Sequence, residues 1–370
     1  MLEELINTPD YRDWQWNIAV RLRRALEAEY VNRTDEIKCV RAIIDQIALS
    51  KPFLLTQAQG MSVTIEAVST FMHGSIVKFS VGGEEHKREL ADLLVLGSYV
   101  ENGSLRWQRA CFIQTKRERI SSTPRIEVDE WQLALLGNFP EFKGLTGILK
   151  GLNYHLRNRT GMLGAYGMLT SPGDLTILSA RVLNHLLGGR KSLLRKEVIP
   201  TIISEQSARR TNQETRFAPW WPFDPENCRV CRGIFDHSPF SWHLSIHQHQ
   251  HPHHVQMHAS GNRGEVDVSS VLSCLSLDEF VESWTALRLG ELWTVGATSA
   301  SDQALGEALF GVVSRVAGTT GRLRTLLQLM SRAHDRDVPR TNEESSILHT
   351  EDGGISIISV IASRSREEQD

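Results

Sequence analysis

The chain has 370 residues, a formal net charge of −3 and 41% hydrophobic residues, which is sufficient for one large or two ordinary globular domains. The small net charge excludes a wholly basic protein that coats nucleic acid, but it is compatible with a local basic patch. The five cysteines are too few for a disulfide framework in a chain of this length.

The first predicted segment, residues 1–58, is helical. Residues 14–30 and 35–49 have amphipathic patterns, and Lys51-Pro52 is expected to end the second helix. The chain begins with acidic residues where a secretory signal peptide would be positively charged. No run reaches the roughly 18 consecutive apolar residues of a membrane span. We therefore expect no membrane partner and a cytoplasmic location.

The second predicted segment, residues 59–190, is an α/β core. Its expected elements, in chain order, are a helix at 62–72, a strand at 75–80, a helix at 127–139, a strand at 163–169 and a helix at 178–187. The first helix is inferred from apolar residues at helical spacing, and it includes Glu66. The strand at 75–80 is inferred from alternating apolar and polar residues.

A β-hairpin is predicted between these elements. Two apolar runs, 89–96 and 110–116, flank Asn102-Gly103. This dipeptide is a strong signal for a tight hairpin turn because both residues tolerate positive φ. We therefore expect the two runs to pair as antiparallel strands.

Three polar residues of this hairpin are expected to converge. Asp92 lies near the start of the first run, whereas Gln114 and Lys116 lie near the end of the second. Side chains two residues apart on a strand share a face, so Gln114 and Lys116 can point the same way. A hard cation such as Mg²⁺ prefers oxygen ligands, which Asp92 and the Gln114 amide oxygen can supply. Lys116 is then placed to orient a water molecule or to neutralise phosphate charge.

This arrangement resembles the PD-(D/E)xK nuclease superfamily. The Gln114-x-Lys116 form looks like the Mrr-type restriction endonuclease branch, and the resemblance covers roughly residues 62–170. It implies a restriction-endonuclease-like α/β fold, with a central mixed sheet flanked by helices. It also implies that Glu66 presents an acid to the site from the first helix, and that the helix at 127–139 contributes Gln132.

The function implied by this resemblance is metal-dependent DNA endonuclease activity, that is, hydrolysis of phosphodiester bonds with Mg²⁺ or Mn²⁺ as cofactor. Asp92, Gln114, Lys116 and Glu66 are its expected catalytic residues, and Asp92 and Gln114 its metal ligands. DNA is the expected partner, and bacterial genome defence the expected setting. The same hairpin residues also fit a surface hairpin whose charges are merely solvated, which leaves a non-catalytic nuclease-like protein as the alternative.

The third predicted segment, residues 191–370, has a Cys/His-rich region at 228–258. Cys228 and Cys231 form a Cys-x-x-Cys pair, which suits tetrahedral Zn²⁺. His243 and His247 lie four residues apart and would share a face of a helix, so the spacing is similar to that of a Cys₂His₂ zinc finger. A redox pair and a solvated histidine loop remain alternatives, as does a zinc-binding interaction protein with a protein partner or a second copy of the chain.

The rest of this segment is expected to be mainly helical. Helical patterns cover residues 276–334, in particular 303–317 and 320–333. A strand is expected at 355–361.

Overall fold

The fold is described from a computed structural model. The described residues are Ile6, 8–54, 61–68, 74–117, 128–158, 161–170, 173–181, 183–184, 242–245, 256–259, 274–297, 299–337 and 355–364.

Helices occur in the N-terminal, middle and C-terminal parts of these ranges, and several of them begin with side-chain caps. They are α1 (Pro9–Val31), α2 (Glu36–Ala48), α3 (Glu130–Asn138), α4 (Leu277–Thr285), α5 (Ala300–Thr320) and α6 (Arg324–Ala333). Asp35 caps α2 by accepting a hydrogen bond from the Lys38 amide, and Asp129 caps α3 by accepting from the Trp131 and Gln132 amides. Such caps satisfy amide groups that have no partner within the helix.

The strands form a large central sheet and two small sheets. They are β1 (Phe53–Leu54), β2 (Met61–Val68), β3 (Ile76–Val81), β4 (Glu84–Glu89), β5 (Leu93–Glu101), β6 (Ser104–Arg117), β7 (Phe142–Gly144), β8 (Asn153–Tyr154), β9 (Gly164–Thr170), β10 (Asp174–Ser179), β11 (Trp242–Ser245), β12 (Gln256–Ala259), β13 (Cys274–Leu275), β14 (Glu291–Thr294) and β15 (Ser356–Arg364).

The central sheet has nine strands and is mixed. Its order is β1-β2-β15-β5-β6-β9-β10-β13, and β14 also pairs with β6. Strand β15 runs parallel to β5, and β6 runs parallel to β9, whereas the other pairs are antiparallel. The predicted α/β class with a central mixed sheet and flanking helices is thus confirmed.

Two hydrophobic cores cover the two faces of this sheet. On β5, Leu93 and Val95 pack with residues of α1, α2 and α4, whereas Leu94 and Leu96 pack with residues of α3, α5 and α6. A strand covered on both faces needs apolar residues in succession, which explains why residues 93–96 do not alternate.

The predicted hairpin is confirmed as β5 and β6. Asn102 and Gly103 lie in its turn with φ values of 51° and 72°, and the strands pair from Leu93↔Ile113 to Glu101↔Ser104. The positive φ values match the turn geometry for which Asn-Gly is favoured. The first strand starts at Leu93 rather than at residue 89, since Glu89 ends β4.

The predicted helix at 62–72 is wrong. Residues Met61–Val68 form β2, which pairs with β15 over its whole length. The β-branched residues Val63, Thr64 and Ile65 favour a strand, and pairing with β15 satisfies the backbone. Helical spacing of a few apolar residues did not outweigh these two effects.

Three further predictions need adjustment. The strand near residues 75–80 exists as β3, but it belongs to the four-stranded sheet β4-β3-β7-β8 and not to the central sheet. The helix predicted from residue 178 is wrong at its start, because Leu178 and Ser179 complete β10. Pairing with β9 keeps these two residues extended. The helices predicted at 14–30, 35–49, 127–139, 303–317 and 320–333 are confirmed with shifted ends.

The central sheet draws strands from all three predicted segments. Strand β1 comes from residues 1–58, β5 and β6 from residues 59–190, and β13, β14 and β15 from residues 191–370. The predicted segment boundaries at residues 58 and 190 therefore divide residues that belong to one sheet. None of the described helices contains a stretch apolar and long enough to span a bilayer.

Candidate functional site

The polar residues of interest lie at the end of the β5–β6 hairpin opposite its turn, which we call the open end. Asp92 directly precedes β5, and its backbone is held on both sides. Its amide donates to the Ile113 carbonyl at 3.1 Å, and its carbonyl accepts from the Ser356 amide at 2.8 Å. Strands β6 and β15 together therefore fix the position of Asp92.

The Asp92 carboxylate accepts hydrogen bonds through one oxygen. Oδ2 accepts from Gln114 Nε2, from the Thr115 amide and from Thr115 Oγ1, each at 2.6 Å. Burial raises the pKa of Asp92, and the Thr115 and Gln114 hydrogen bonds and the charge of Lys116 only partly oppose this. Within the described part of the chain, every hydrogen bond to this carboxylate ends on Oδ2, so Oδ1 is the oxygen not engaged in this way.

Gln114 connects Asp92 to helix α3. Its Nε2 donates to Asp92, while its Oε1 accepts a hydrogen bond from Gln132 Nε2. Gln132 Nε2 also donates to the Glu89 carbonyl at 3.0 Å. The Gln114 amide oxygen, expected from the sequence to be a metal ligand, thus accepts a hydrogen bond from Gln132.

Lys116 is paired with an acid from the N-terminal helices. Its Nζ lies 3.3 Å from Oε1 of Glu36, the first residue of α2, and both side chains are about one quarter exposed, at 24% and 28%. The Arg117 amide donates to Oε2 of the same carboxylate at 3.0 Å. Burial and the charge of Asp92 raise the pKa of Glu36, whereas Lys116 lowers it.

Glu89 is a third acid at the open end. Burial raises its pKa to about 7, the charges of Asp92 and Glu36 add to this, and Lys116 opposes it. The carboxyl groups of Glu36, Glu89 and Asp92 thus repel one another around one lysine. We call Glu36, Glu89, Asp92, Gln114 and Lys116 the Asp92 cluster.

The charge balance of the Asp92 cluster suits a cation. Three carboxyl groups face one ammonium group, and a divalent cation would offset the excess negative charge. Mg²⁺ is held by one or two carboxylates together with waters and substrate phosphate oxygens rather than by a closed protein cage. Among the described residues, no three His, Cys, Asp or Glu side chains are arranged so that they could hold a metal ion by themselves. The oxygen donors of Asp92, Glu36 and Glu89 are of the kind that Mg²⁺ or Mn²⁺ binds, provided that waters or phosphate oxygens complete the coordination.

The Arg117 guanidinium packs against an aromatic ring. Its Cζ lies 4.4 Å from the centre of the Tyr30 ring, a cation–π geometry. Its Nε and Nη2 atoms are buried and have no hydrogen-bond partner. Arg117 thus contributes its backbone amide to the cluster and its side chain to packing against α1.

Glu66 is not part of the Asp92 cluster, which corrects the expectation from the sequence. It lies on β2, where Ser359 of β15 separates it from Leu96 of β5. Strand β15 thus lies between Glu66 and β5, and Glu66 is level with Leu96, which is four residues beyond Asp92. Its Oε2 atom is buried without a hydrogen-bond partner. The acid presented from a preceding helix is instead Glu36.

Glu36 and Glu89 were missed for different reasons. Glu36 follows the capping residue Asp35, and an acid in the first turn of a helix is ordinarily explained by the helix dipole. Glu89 was placed within the first strand of the hairpin, in a run where charged side chains can be solvated. Neither has a short spacing to Gln114 and Lys116 that could have indicated a shared site.

Three of the four predicted zinc ligands, Cys228, Cys231 and His247, lie outside the described residues. His243 lies on β11 and pairs with His258 of β12, so the helix expected at His243 is wrong. Pairing with β12 keeps residues 242–245 extended.

Comparison of the chain with protein-family models, curated proteins and solved structures gives no match.

Proposed function

We propose that the chain is a metal-dependent DNA endonuclease that hydrolyses phosphodiester bonds. The observation that supports this most strongly is the Asp92 cluster, in which Asp92, Gln114 and Lys116 meet two further carboxyl groups at the open end of the hairpin. Three carboxyl groups beside one lysine form a charge arrangement that suits a divalent cation and a phosphate group.

The surrounding elements support a restriction-endonuclease-like core and the resemblance to the PD-(D/E)xK superfamily. An acid enters from helix α2, an antiparallel hairpin provides Asp92 and the Gln-x-Lys motif, helix α3 provides Gln132, and β9 runs parallel to β6. Helix α2 and Glu36 take the role that the sequence suggested for residues 62–72 and Glu66. DNA as substrate and a role in genome defence rest on the resemblance.

Asp92, through Oδ1, is the residue we expect to hold Mg²⁺ or Mn²⁺, with Glu89 or Glu36 as the second carboxylate. When bound, such an ion stabilises negative charge on phosphate oxygens and lowers the pKa of a bound water. Gln114 and Thr115 keep the Asp92 carboxylate in place. Glu36 holds the Lys116 ammonium, which can then donate a hydrogen bond to water or to a phosphate oxygen.

The test is plasmid cleavage by the purified full chain. Supercoiled DNA is incubated with protein in Mg²⁺ or in Mn²⁺, with and without chelator. We expect nicked or linear product only when the metal is present. Asp92→Asn is the matched inactive variant because it keeps the size of the side chain and removes its charge.

Two outcomes would contradict the proposal. Cleavage by Asp92→Asn at the wild-type rate would show that a contaminating nuclease or another site is responsible. Absence of cleavage by folded wild-type protein on double-stranded and single-stranded DNA, in either metal, would favour a non-catalytic nuclease-like protein.

A further inference from the structure

Two glutamines separate the Asp92 carboxylate from a backbone carbonyl, and their hydrogen bonds have only one consistent direction. At one end, the Glu89 carbonyl can only accept. Gln132 must therefore turn its NH₂ group toward Glu89, and this group also donates to Gln114 Oε1. Gln114 is then left with its NH₂ group facing Asp92 Oδ2, to which it donates at 2.6 Å.

Both amides are buried, so water does not compete for these hydrogen bonds. Gln114 is 2% exposed and Gln132 is 5% exposed. Gln132 is additionally fixed at the start of α3, where its backbone amide donates to Asp129. The chain of hydrogen bonds from the Glu89 carbonyl through Gln132 and Gln114 to Asp92, which we call the relay, thus ties the orientation of the Asp92 carboxylate to helix α3.

We infer that Gln132 is a positioning residue that acts on Asp92 through Gln114. By keeping the Gln114 NH₂ group on Oδ2, it leaves Oδ1 as the oxygen for a cation. This inference rests on the proposed function for its metal, and it changes the role of Gln114 from metal ligand to hydrogen-bond donor. Groups that orient a metal ligand in this way typically change metal affinity or activity by about 10–100-fold when they are removed.

The test is a double-mutant cycle on the affinity of the full chain for Mn²⁺, measured from the free Mn²⁺ signal in electron paramagnetic resonance. We expect Gln132→Met to weaken Mn²⁺ binding about tenfold and Gln114→Met at least as much. Because Gln132 acts through Gln114, the double variant should bind no more weakly than Gln114→Met alone. The KM for DNA should stay at the wild-type value in Gln132→Met.

Matched controls exist for both glutamines. Gln15 is 7% exposed, lies on a helix and donates to Thr285 at 2.7 Å, so Gln15→Met loses an equivalent hydrogen bond away from the cluster. Gln108 is fully buried on β6 and donates to Ser98 at 2.8 Å, which makes Gln108→Met the control for Gln114. Both controls should bind Mn²⁺ like the wild type. If Gln132→Met does not fold, Gln132→Asn retains the amide but is too short to reach Gln114.

A measurement without metal or DNA separates this inference from the proposed function. Titration of the Asp92 carboxyl carbon by ¹³C NMR should show a higher Asp92 pKa in Gln132→Met than in wild type, and no further rise when Gln132→Met is added to Gln114→Met. This holds even if the wild-type protein neither binds Mn²⁺ nor cleaves DNA, which would reject the nuclease alone. Additive effects of the two substitutions, or a wild-type Asp92 titration in Gln132→Met, would overturn the relay.

Discussion

The two ends of the β5–β6 hairpin contain the same kinds of charged residues in opposite proportions. At the turn end, the Glu101 carboxylate meets two guanidinium groups, with Arg106 Nε at 3.2 Å and Arg364 Nη1 at 3.8 Å, and these side chains are 29–52% exposed. At the open end, three carboxyl groups meet the one ammonium group of Lys116. The turn end thus has excess positive charge on exposed side chains, whereas the open end has more carboxyl groups than cationic groups in a half-buried position.

This difference distinguishes ion pairs that only affect stability from charged groups whose arrangement suits a ligand or a reaction. Exposed pairs such as those at the turn end contribute about 0–1 kcal/mol each and need no ligand. Carboxyl groups that repel one another at a buried position lower stability, and they are retained most readily where a ligand or a reaction uses them.

The largest expected effect is on DNA cleavage. Asp92→Ala and Lys116→Ala should each lower the cleavage rate on the order of 10³-fold, because they remove groups that act on the charged phosphate. Glu101→Ala at the turn end should cleave within about twofold of wild type, since a surface ion pair has little energetic effect. Initial rates of plasmid nicking, with circular dichroism to verify folding, measure this. Undiminished cleavage by Lys116→Ala would remove the lysine from the mechanism.

Gln114→Glu should make the protein depend on metal for its stability. The substitution replaces the donor on Asp92 Oδ2 with a second carboxylate, which should cost about 2 kcal/mol in chelator. A divalent cation bridging the two carboxylates should restore the loss and bind more strongly than in wild type. Thermal unfolding with chelator and with Mn²⁺ measures both effects. Equal destabilisation in the two conditions would place the cation elsewhere.

Glu89→Gln should change how stability depends on pH. The pKa of Glu89 is raised from 4.5 to about 7 in the folded chain, so the unfolded state releases this proton first as pH rises. Glu89 therefore lowers wild-type stability increasingly between about pH 4.5 and 7 and by a constant amount above that range. We expect Glu89→Gln to match wild type at pH 4 and to be about 1 kcal/mol more stable at pH 8, allowing for partial solvation of the carboxyl group.

Unfolding midpoints at the two pH values measure this difference. Glu101→Gln controls for loss of an exposed acid and should stay within about 0.5 kcal/mol of wild type. A Glu89→Gln variant that is less stable than wild type at pH 8 would mean that the Glu89 carboxylate makes a favourable contact in the folded chain.

The smallest effect is expected at the turn end. Arg106→Ala should cost less than about 0.5 kcal/mol, since it removes one exposed partner while Arg364 remains near Glu101. Chemical denaturation at low and high salt is the measurement, and the difference should shrink further at high salt. A loss above about 1.5 kcal/mol would show that the turn-end pair stabilises the fold more than an exposed ion pair does.

The sequence was sufficient for features set by neighbours along the chain. Asn102-Gly103 and its flanking apolar runs predicted the hairpin, and the hairpin in turn predicted that Asp92 and Gln114 meet. The same spacing argument placed Lys116 beside them, and its charge does act on Asp92. The helices predicted at 14–30, 35–49, 303–317 and 320–333 were recognised because their apolar periodicity is a local signal.

Features that depend on distant parts of the chain were not predictable in this way. Residues 61–68 became a strand because β15, far along the sequence, pairs with them, so Glu66 moved away from the expected site. Glu36 reaches Lys116 only because α2 packs across the sheet. The role of Gln114 as a donor depends on Gln132 and on the Glu89 carbonyl, and no pattern within the hairpin contains this information.

The position of β15 has a consequence for when the site is assembled during synthesis. The Ser356 amide, which fixes the Asp92 carbonyl, leaves the ribosome long after Asp92 does. At about 5–20 residues per second, the interval between them is on the order of tens of seconds. During that interval the nascent chain contains both strands of the hairpin, but β2 and β5 have no strand between them. A nuclease built in this way would complete the hydrogen bonding around its aspartate only after nearly all of these residues had been translated.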